Sequence, residues 1–336
     1  MQHGFGRSAA EIQAGSVCKG KGIHVKRVKA VRSFFRKYGS AYLFIAPFFI
    51  LFFIFQLFPM IWSAVLSFHS WDGLGKQKFI GLQNYQMILR DSVFITGFKN
   101  TFFYWVFGLA LTLVLSMGLA LLLNKKNVRG SKIWRAFPIL AYAIPGFISM
   151  LGFKFMFSQS GPINSLLAAA GKDTIFFLTN DASAKWWARG IGLFVNAWIS
   201  VPSIMLMTTG ILTNINHDLY EASSLDGATP FQQFRKITLP FVVFSTTPVL
   251  IGQFVGNFNN FGIFFFIRSG VISNYGDYFL ASDTDLLINW LYNLSVDNNY
   301  YSVGAAISLM IFVITATLSL TVYIRSAAYK QEDTYQ

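Results

Sequence analysis

The chain has 336 residues, of which 54% are hydrophobic and 18% aromatic, while only 12% are charged. That balance leaves too little polar surface to keep a fold of this size in water, which excludes an ordinary soluble domain. The net charge of +13 does not indicate nucleic-acid binding, because the basic residues gather at the ends of apolar runs rather than on one soluble face.

Residues 1–40 are polar and basic, without the apolar stretch a signal peptide needs. Within them, residues 25–38 fit either a short basic helix lying on the membrane surface or a solvated tail. A spanning helix needs about 20 apolar residues. Six runs qualify: residues 41–66, 101–123, 133–157, 190–212, 239–265 and 302–324. Pro47, Pro59, Pro145, Pro202 and Pro248 lie inside these runs and are predicted to kink most of them. The predicted class is therefore an all-α membrane protein with six transmembrane helices. Its parts are a basic tail (1–40), a first helix (41–66), an external segment (67–100), a five-helix core (101–328) and a second short tail (329–336).

With the N-terminus in the cytosol, 18 Lys and Arg residues fall on the cytosolic side and 8 on the other. The positive-inside rule then puts both tails in the cytosol. Lys154 falls at the outer end of the third run, where it can snorkel to the interface. Residues 283–294 carry Leu286, Leu287, Trp290, Leu291 and Leu294 at helical spacing but are too short and polar to span, so an interfacial or docking helix is expected. Cys18 is the only cysteine, which excludes an intrachain disulfide framework. His3, His24, His69 and His217 are widely separated and give no metal-ligand spacing, so no metal site is expected.

The loop at 216–240, between the fourth and fifth runs, reads as two short helices with a sharp bend between them. Asp218 can cap the first helix, whose start favours Glu221. Asp226-Gly227 supplies the bend, because glycine enters left-handed conformations at no steric cost. Thr229 caps the second helix, Pro230 suits its first position and Pro240 marks the return to the membrane. Ala222, Ser223, Gly227 and Ala228 make a surface small enough for close approach of another protein. Leu219, Leu225, Phe231, Phe234 and Ile237 offer apolar anchors.

Two polar stripes stand out in the last-but-two and last-but-one runs. Gln253, Asn257 and Asn260 share one face of the fifth helix, as Asn196, Ser200, Ser203 and Met207 do on the fourth. An unpaired buried amide costs about 1–3 kcal/mol, so these groups need partners or water. The stripes admit two readings: a cavity lining that hydrogen-bonds a polar solute, or glue between helices.

The loop resembles the coupling loop of ABC importer permeases, with Glu221-Ala222-Ser223, then Asp226-Gly227-Ala228, then the close at Ile237, Leu239 and Pro240. Ser223 stands where that family has alanine. Residues 79–85, 257–261 and 284–289 resemble the carbohydrate branch, in particular the maltose-type larger permease. The resemblance covers roughly residues 40–328. It implies a type I importer permease fold in a bacterial cytoplasmic (inner) membrane, with the loop as a cytosolic coupling helix. By the same resemblance, Glu221, Ala222, Ser223, Asp226, Gly227 and Ala228 meet an ATP-hydrolysing subunit. Asn257 and Asn260, with Gln253, Ser200, Ser203 and Asn196, would line a sugar site. It also implies a heterodimer with a second permease subunit, a dimer of ATP-binding subunits that carry ATP and Mg, and an external solute-binding protein. The cargo would be a sugar or oligosaccharide. Gly256 and Ser203 replace two aromatics of the maltose permeases, which points away from maltose itself. The external segment is also too short to hold the large external domain of the enterobacterial maltose subunit.

The chain has no Gly-x-x-x-x-Gly-Lys-Ser/Thr phosphate loop, no plausible catalytic triad and no paired acids facing one site, so a transport component without its own cofactor is expected rather than an enzyme. A proton- or sodium-driven carrier usually places acids inside its spans, and none of the six runs contains one. The remaining alternative is an ABC importer permease for an amino acid, a peptide or a polyamine.

Overall fold

Hydrocarbon offers no hydrogen bonds to the backbone, so apolar runs fold as helices that satisfy their own amides. The computed structural model describes residues 37–124, 128–178, 183–268, 272–273 and 281–325. The basic tail 1–36, with its proposed surface helix over most of 25–38, and the tail 326–336 lie outside the described residues. The chain divides into two units, Met1–Trp62 and Ser63–Gln336.

The described part of the first unit belongs to helix α1 (Lys37–Leu66). It contains one wide turn, Phe53–Leu57, in which the N–H of Phe58 bonds the carbonyl of Phe53. Pro59 explains it: a mid-helix proline ring clashes with the carbonyl four residues back, and an extra residue in the preceding turn relieves that clash.

In the second unit α2 (Gln83–Arg90) precedes the long α3 (Ser92–Asn124). Then come α4 (Ser131–Ala143), α5 (Gly146–Met156), α6 (Pro162–Ala169) and α7 (Ala184–Thr213). The loop helices α8 (His217–Leu225) and α9 (Pro230–Gln233) lead into α10 (Leu239–Phe258) and α11 (Phe261–Phe266). The short α12 (Leu287–Tyr292) and the last helix α13 (Tyr301–Arg325) complete the order. Among the described residues, two short strand pairs are antiparallel, β1 (His69–Ser70) with β2 (Lys78–Phe79) and β3 (Ile272–Ser273) with β4 (Ala281–Ser282).

Among the described residues, five helical stretches are long and apolar enough to span: Lys37–Leu66, Ser92–Asn124, Ala184–Thr213, Pro230–Phe266 and Tyr301–Arg325. The third predicted run is not a single kinked helix. It is α4 and α5, bent by 95° at the break. Ile144 is extended there (φ −82°, ψ 124°), the conformation that a following proline imposes. Pro202 and Pro248, by contrast, stay inside unbroken helices.

The fifth span also departs from expectation, because it begins at Pro230 rather than near Pro240. A second wide turn, Phe234–Thr238, joins α9 to α10, and the N–H of Leu239 bonds the carbonyl of Phe234. Pro240 follows this turn at the same offset as Pro59 follows the turn in α1. The same relief lets the loop run into the membrane helix without a break.

α3 and α7 pack along most of their lengths. The buried face of α3 carries Tyr104, Gly108, Thr112, Ser116 and Ala120 at four-residue spacing. Mostly small side chains at that interval let helix backbones approach closely in a membrane bundle. Ser116 Oγ reaches the carbonyl of Val201 on α7 at 3.2 Å.

The segment expected as an interfacial or docking helix is core instead. Leu287, Trp290 and Leu294 are fully buried against α2, α3 and α13, and Leu286 against α3, α7 and α11. Neighbouring polar groups make that burial possible. Thr101 Oγ1 accepts from the N–H of Leu287 at 2.9 Å, and Asn100 Nδ2 donates to the carbonyls of Asp283 and Asp285. Asn289 Nδ2 donates to the carbonyl of Phe261.

Asp285 is 1% exposed; its Oδ2 accepts from the Ser282 N–H and from Asn293 Nδ2. Burial pushes its carboxyl up to about 6, against the lowering effects of the Ser282 N–H, Arg268 and Asn293. A raised carboxyl favours the fold while it is protonated, and that contribution fades as pH rises through 6. The detergent-purified chain should therefore be more stable at pH 5 than at pH 7.5 by about 1 kcal/mol from this group. Thermal unfolding at the two pH values, with Asp285→Asn expected to remove the difference, checks this.

Candidate transport site and coupling loop

Gly108 sits where α3 meets α7 and α10. A β-carbon there would come within 3.2 Å of both Asn196 Nδ2 and Asn257 Oδ1. That absence of a side chain allows a knot of amides to form in the middle of the bundle. Asn196 Nδ2 donates to Asn257 Oδ1 at 3.0 Å and lies 3.4 Å from Thr112 Oγ1. Asn196 Oδ1 accepts from Asn260 Nδ2 at 3.2 Å, and Asn260 Nδ2 also lies 3.2 Å from the Tyr104 hydroxyl. Asn257 Nδ2 turns back to the carbonyl of Gln253 at 2.9 Å.

Asn196 and Asn257 are 2% and 3% exposed, so in this structure they satisfy each other rather than open space. Asn260 and Gln253 are half-buried, as are Ser200 and Ser203, whose Oγ donates to the Ser200 carbonyl at 3.0 Å. The structure thus joins Asn196, Asn257 and Asn260 in one network. Ser200 and Ser203 stand apart from it along α7. Tyr104, Gly108 and Thr112 complete the knot and were not identified from the sequence. The available signal was their four-residue spacing on α3, within the second predicted run, but a Tyr-Gly-Thr stripe inside an apolar run has no chemistry of its own to mark it.

The other end of the same helices carries the loop. Asn216, not Asp218, caps α8: its Oδ1 accepts from the Asp218 N–H at 3.0 Å. The helix starts at His217, which places Asp218 in the first turn, where an acid suits the helix dipole. Glu221 Oε1 lies 3.0 Å from His217 Nδ1, and both side chains are exposed. At the bend Gly227 has φ +80°, the left-handed region that favours glycine. The N–H groups of Asp226, Gly227 and Ala228 close the helix on the carbonyls of Ala222, Ser224 and Ser223. Thr229 and Gln232 form a reciprocal capping box, and Pro230 takes the first helical position.

The five apolar anchors divide by burial. Leu225 is 90% exposed, and Leu219 and Phe231 are also exposed, whereas Phe234 and Ile237 are half-buried. Ile237 and Tyr220 pack on Ala120, Leu123, Met205, Leu212, Ile215 and Val242, and Tyr220 hydroxyl pairs with Thr238 Oγ1 at 2.8 Å. The loop is therefore seated on the ends of α3, α7 and α10, with its bend presented outward. Glu221, Ala222, Asp226 and Gly227 are exposed, and Ser223 and Ala228 half-buried.

The family model described as the binding-protein-dependent transport system inner membrane component matches residues 113–329. The galactooligosaccharides transport system permease protein GanP of Bacillus subtilis is 32% identical over 288 residues, covering 82% of this chain and 67% of that protein. The maltodextrin transport system permease protein MalC of Streptococcus pneumoniae is 31% identical over 311 residues, covering 88% and 71%. The maltose/maltodextrin transport system permease protein MalF of Escherichia coli is 36% identical over 249 residues, covering 71% of this chain and 48% of that protein. Among solved structures, a chain of a bacterial alginate ABC transporter, solved with an alginate pentasaccharide-bound periplasmic protein, superposes with a TM-score of 0.73. It has 23% identity and covers 88% of this chain and 97% of that one.

Replacing Asn196 by leucine leaves Asn257 Oδ1 without its donor and Asn260 Nδ2 with Tyr104 alone. The expected loss is about 1–2 kcal/mol of stability, read as a lower unfolding temperature of the detergent-purified chain. Ser203→Ala, outside the network, should leave that temperature unchanged.

Proposed function

This chain belongs to the family of binding-protein-dependent transport system inner-membrane components, and on that premise we propose that it is the membrane-spanning subunit of an ATP-driven importer for an oligosaccharide. The observation that carries the cargo reading is the neutral knot of Asn196, Asn257 and Asn260 in mid-bundle, with no ionised side chain among its members. Hydroxyl-rich, uncharged solutes are matched by amides and hydroxyls, whereas an amino acid or polyamine calls for a compensating charge. The names of the sugar permeases among the relatives support the same direction.

Gln253, Asn260, Ser200 and Ser203 are half-buried and offer polar atoms to cargo directly. Asn257 retains one amide hydrogen and one lone pair beyond its two bonds, and reaches cargo when α7 and α10 part. The alternative cargoes, amino acids, peptides and polyamines, remain outcomes of the test below.

In this reading the bend at Asp226-Gly227 faces the cytosol and is gripped by an ATP-binding subunit, with Leu225, Leu219 and Phe231 as its apolar contacts. Glu221, Ala222, Ser223 and Ala228 shape the rest of that surface. Both termini lie on the same cytosolic side. ATP and Mg belong to the partner subunits. A second permease subunit completes the pathway, and an external solute-binding protein delivers cargo to the opposite face. Closure of the ATP-binding subunits pushes on the bend, and the helices above it rock about the pathway.

The test is ATP hydrolysis by the importer purified with its partner subunits and supplied with the binding protein. Malto-oligosaccharides, galacto-oligosaccharides and alginate oligomers are compared with amino acids, peptides and polyamines. Several-fold stimulation by an oligosaccharide alone is expected, and stimulation only by a peptide, amino acid or polyamine contradicts the cargo assignment. Gly227→Asp, which puts a charged side chain on the bend at φ +80°, should abolish uptake while the binding protein still binds its solute.

A further inference from the structure

A two-helix loop with a glycine at its bend is a poor lever unless something fixes the angle. Closing contacts within α8 hold the backbone of the bend, but they do not tie α8 to α9. One side chain does. Gln233, the last residue of α9, lies with its Nε2 2.9 Å from Ser223 Oγ, 2.8 Å from Ser224 Oγ and 3.1 Å from the Tyr220 carbonyl. The two serine hydroxyls themselves donate to that carbonyl, at 2.9 and 2.8 Å. A carbonyl only accepts, and both hydroxyl hydrogens are committed to it, so the group facing all three oxygens must be a donor. This fixes the amide nitrogen of Gln233 inward.

The position of Gln233 adds a second constraint. The wide turn Phe234–Thr238 begins at the next residue and carries the helix unbroken into α10. Tyr220, whose carbonyl is the centre of the cluster, also joins Thr238 on the far side of that turn through its hydroxyl. α8 is thus tied to the fifth span at both ends of the turn. Ser223, the residue that departs from alanine in the coupling-loop pattern, supplies one of the three oxygens.

We propose that Gln233, with Ser223 and Ser224, is a polar latch that locks the two loop helices at one angle, so that force on α8 is delivered through α9 to the fifth span. Gln233 is a positioning residue: it lies behind the exposed bend. The inference rests on the reading of the bend as the ATPase contact, and the experiment separates the two.

The experiment uses the whole importer with its partner subunits in native lipid, carrying Gln233→Leu, Gln233→Glu, Gln233→Lys or Gly227→Asp in this chain. Two quantities are read: hydrogen exchange at the amides of residues 226–228, and uptake of labelled maltotriose and galactotriose per ATP hydrolysed. Gln233→Leu and the isosteric Gln233→Glu should speed exchange roughly fivefold to tenfold and lower uptake per ATP, with the ATP-binding subunits still attached. Gln233→Lys, which restores a donor, should bring both readings back towards wild type. Wild-type exchange in the leucine and glutamate variants overturns the latch. So does wild-type uptake per ATP in them alongside loss of uptake in Gly227→Asp. Failure of the lysine variant to restore either reading overturns the donor assignment. Undiminished uptake in Gly227→Asp removes the coupling reading beneath it, whatever Gln233 does.

Discussion

The hydrogen bond from Asn196 to Asn257 sets the distance around which the bundle is organised. An amide placed among apolar helices has few partners to choose from, and a lost partner is costly. Gly108 gives the pair room, and Thr112, Tyr104 and Asn260 take up the remaining capacity. Three helices, α3, α7 and α10, are held at one spacing by this knot. Apolar packing alone is non-directional and would let them slide.

Polar contacts fix the same three helices at both ends. At one end Arg189 of α7 donates to Asn100 Oδ1 at 2.7 Å, and Asn100 in turn grips the carbonyls of Asp283 and Asp285. At the other end Arg135 of α4 donates to the carbonyl of Leu123, and Tyr220 and Ile237 seat the loop on Met205, Leu212 and Val242. Between them the helix of the fifth span runs through the wide turn from Pro230 to Phe258 and resumes as α11 at Phe261. Movement of the bend therefore has a stiff connection to the amide knot, roughly along one helix.

Much of this was legible in the sequence, and the parts that were not share a cause. Apolar runs announce spans because lipid imposes a length, and the caps at Thr229 and Pro230 and the turn at Gly227 follow from local stereochemistry. Tertiary choices are different. Pro145 signals disruption, but whether the result is a kink or a 95° break depends on what packs around it. Residues 283–294 read as an interfacial or docking helix, too short and polar to span, because the partners that allow their burial, Asn100, Thr101 and the carbonyl of Phe261, lie far away in sequence. Asn216 displaced Asp218 as the cap because the helix began two residues earlier than the charge suggested. The four-residue spacing of Gly108 and Thr112 takes on meaning only with Asn196 and Asn257 placed against them.

In the proposed reading the bend around Leu225 faces the cytosol, against an ATP-binding subunit. Cys18 is the chain's only cysteine, so Cys18→Ser with Leu225→Cys gives a single thiol at a 90% exposed position. Its reaction with a membrane-impermeant maleimide is the most direct measurement. The account predicts labelling in inside-out vesicles stripped of the ATP-binding subunits, protection when those subunits are present, and no labelling of intact cells. Labelling of intact cells, or equal labelling with and without the subunits, would contradict it.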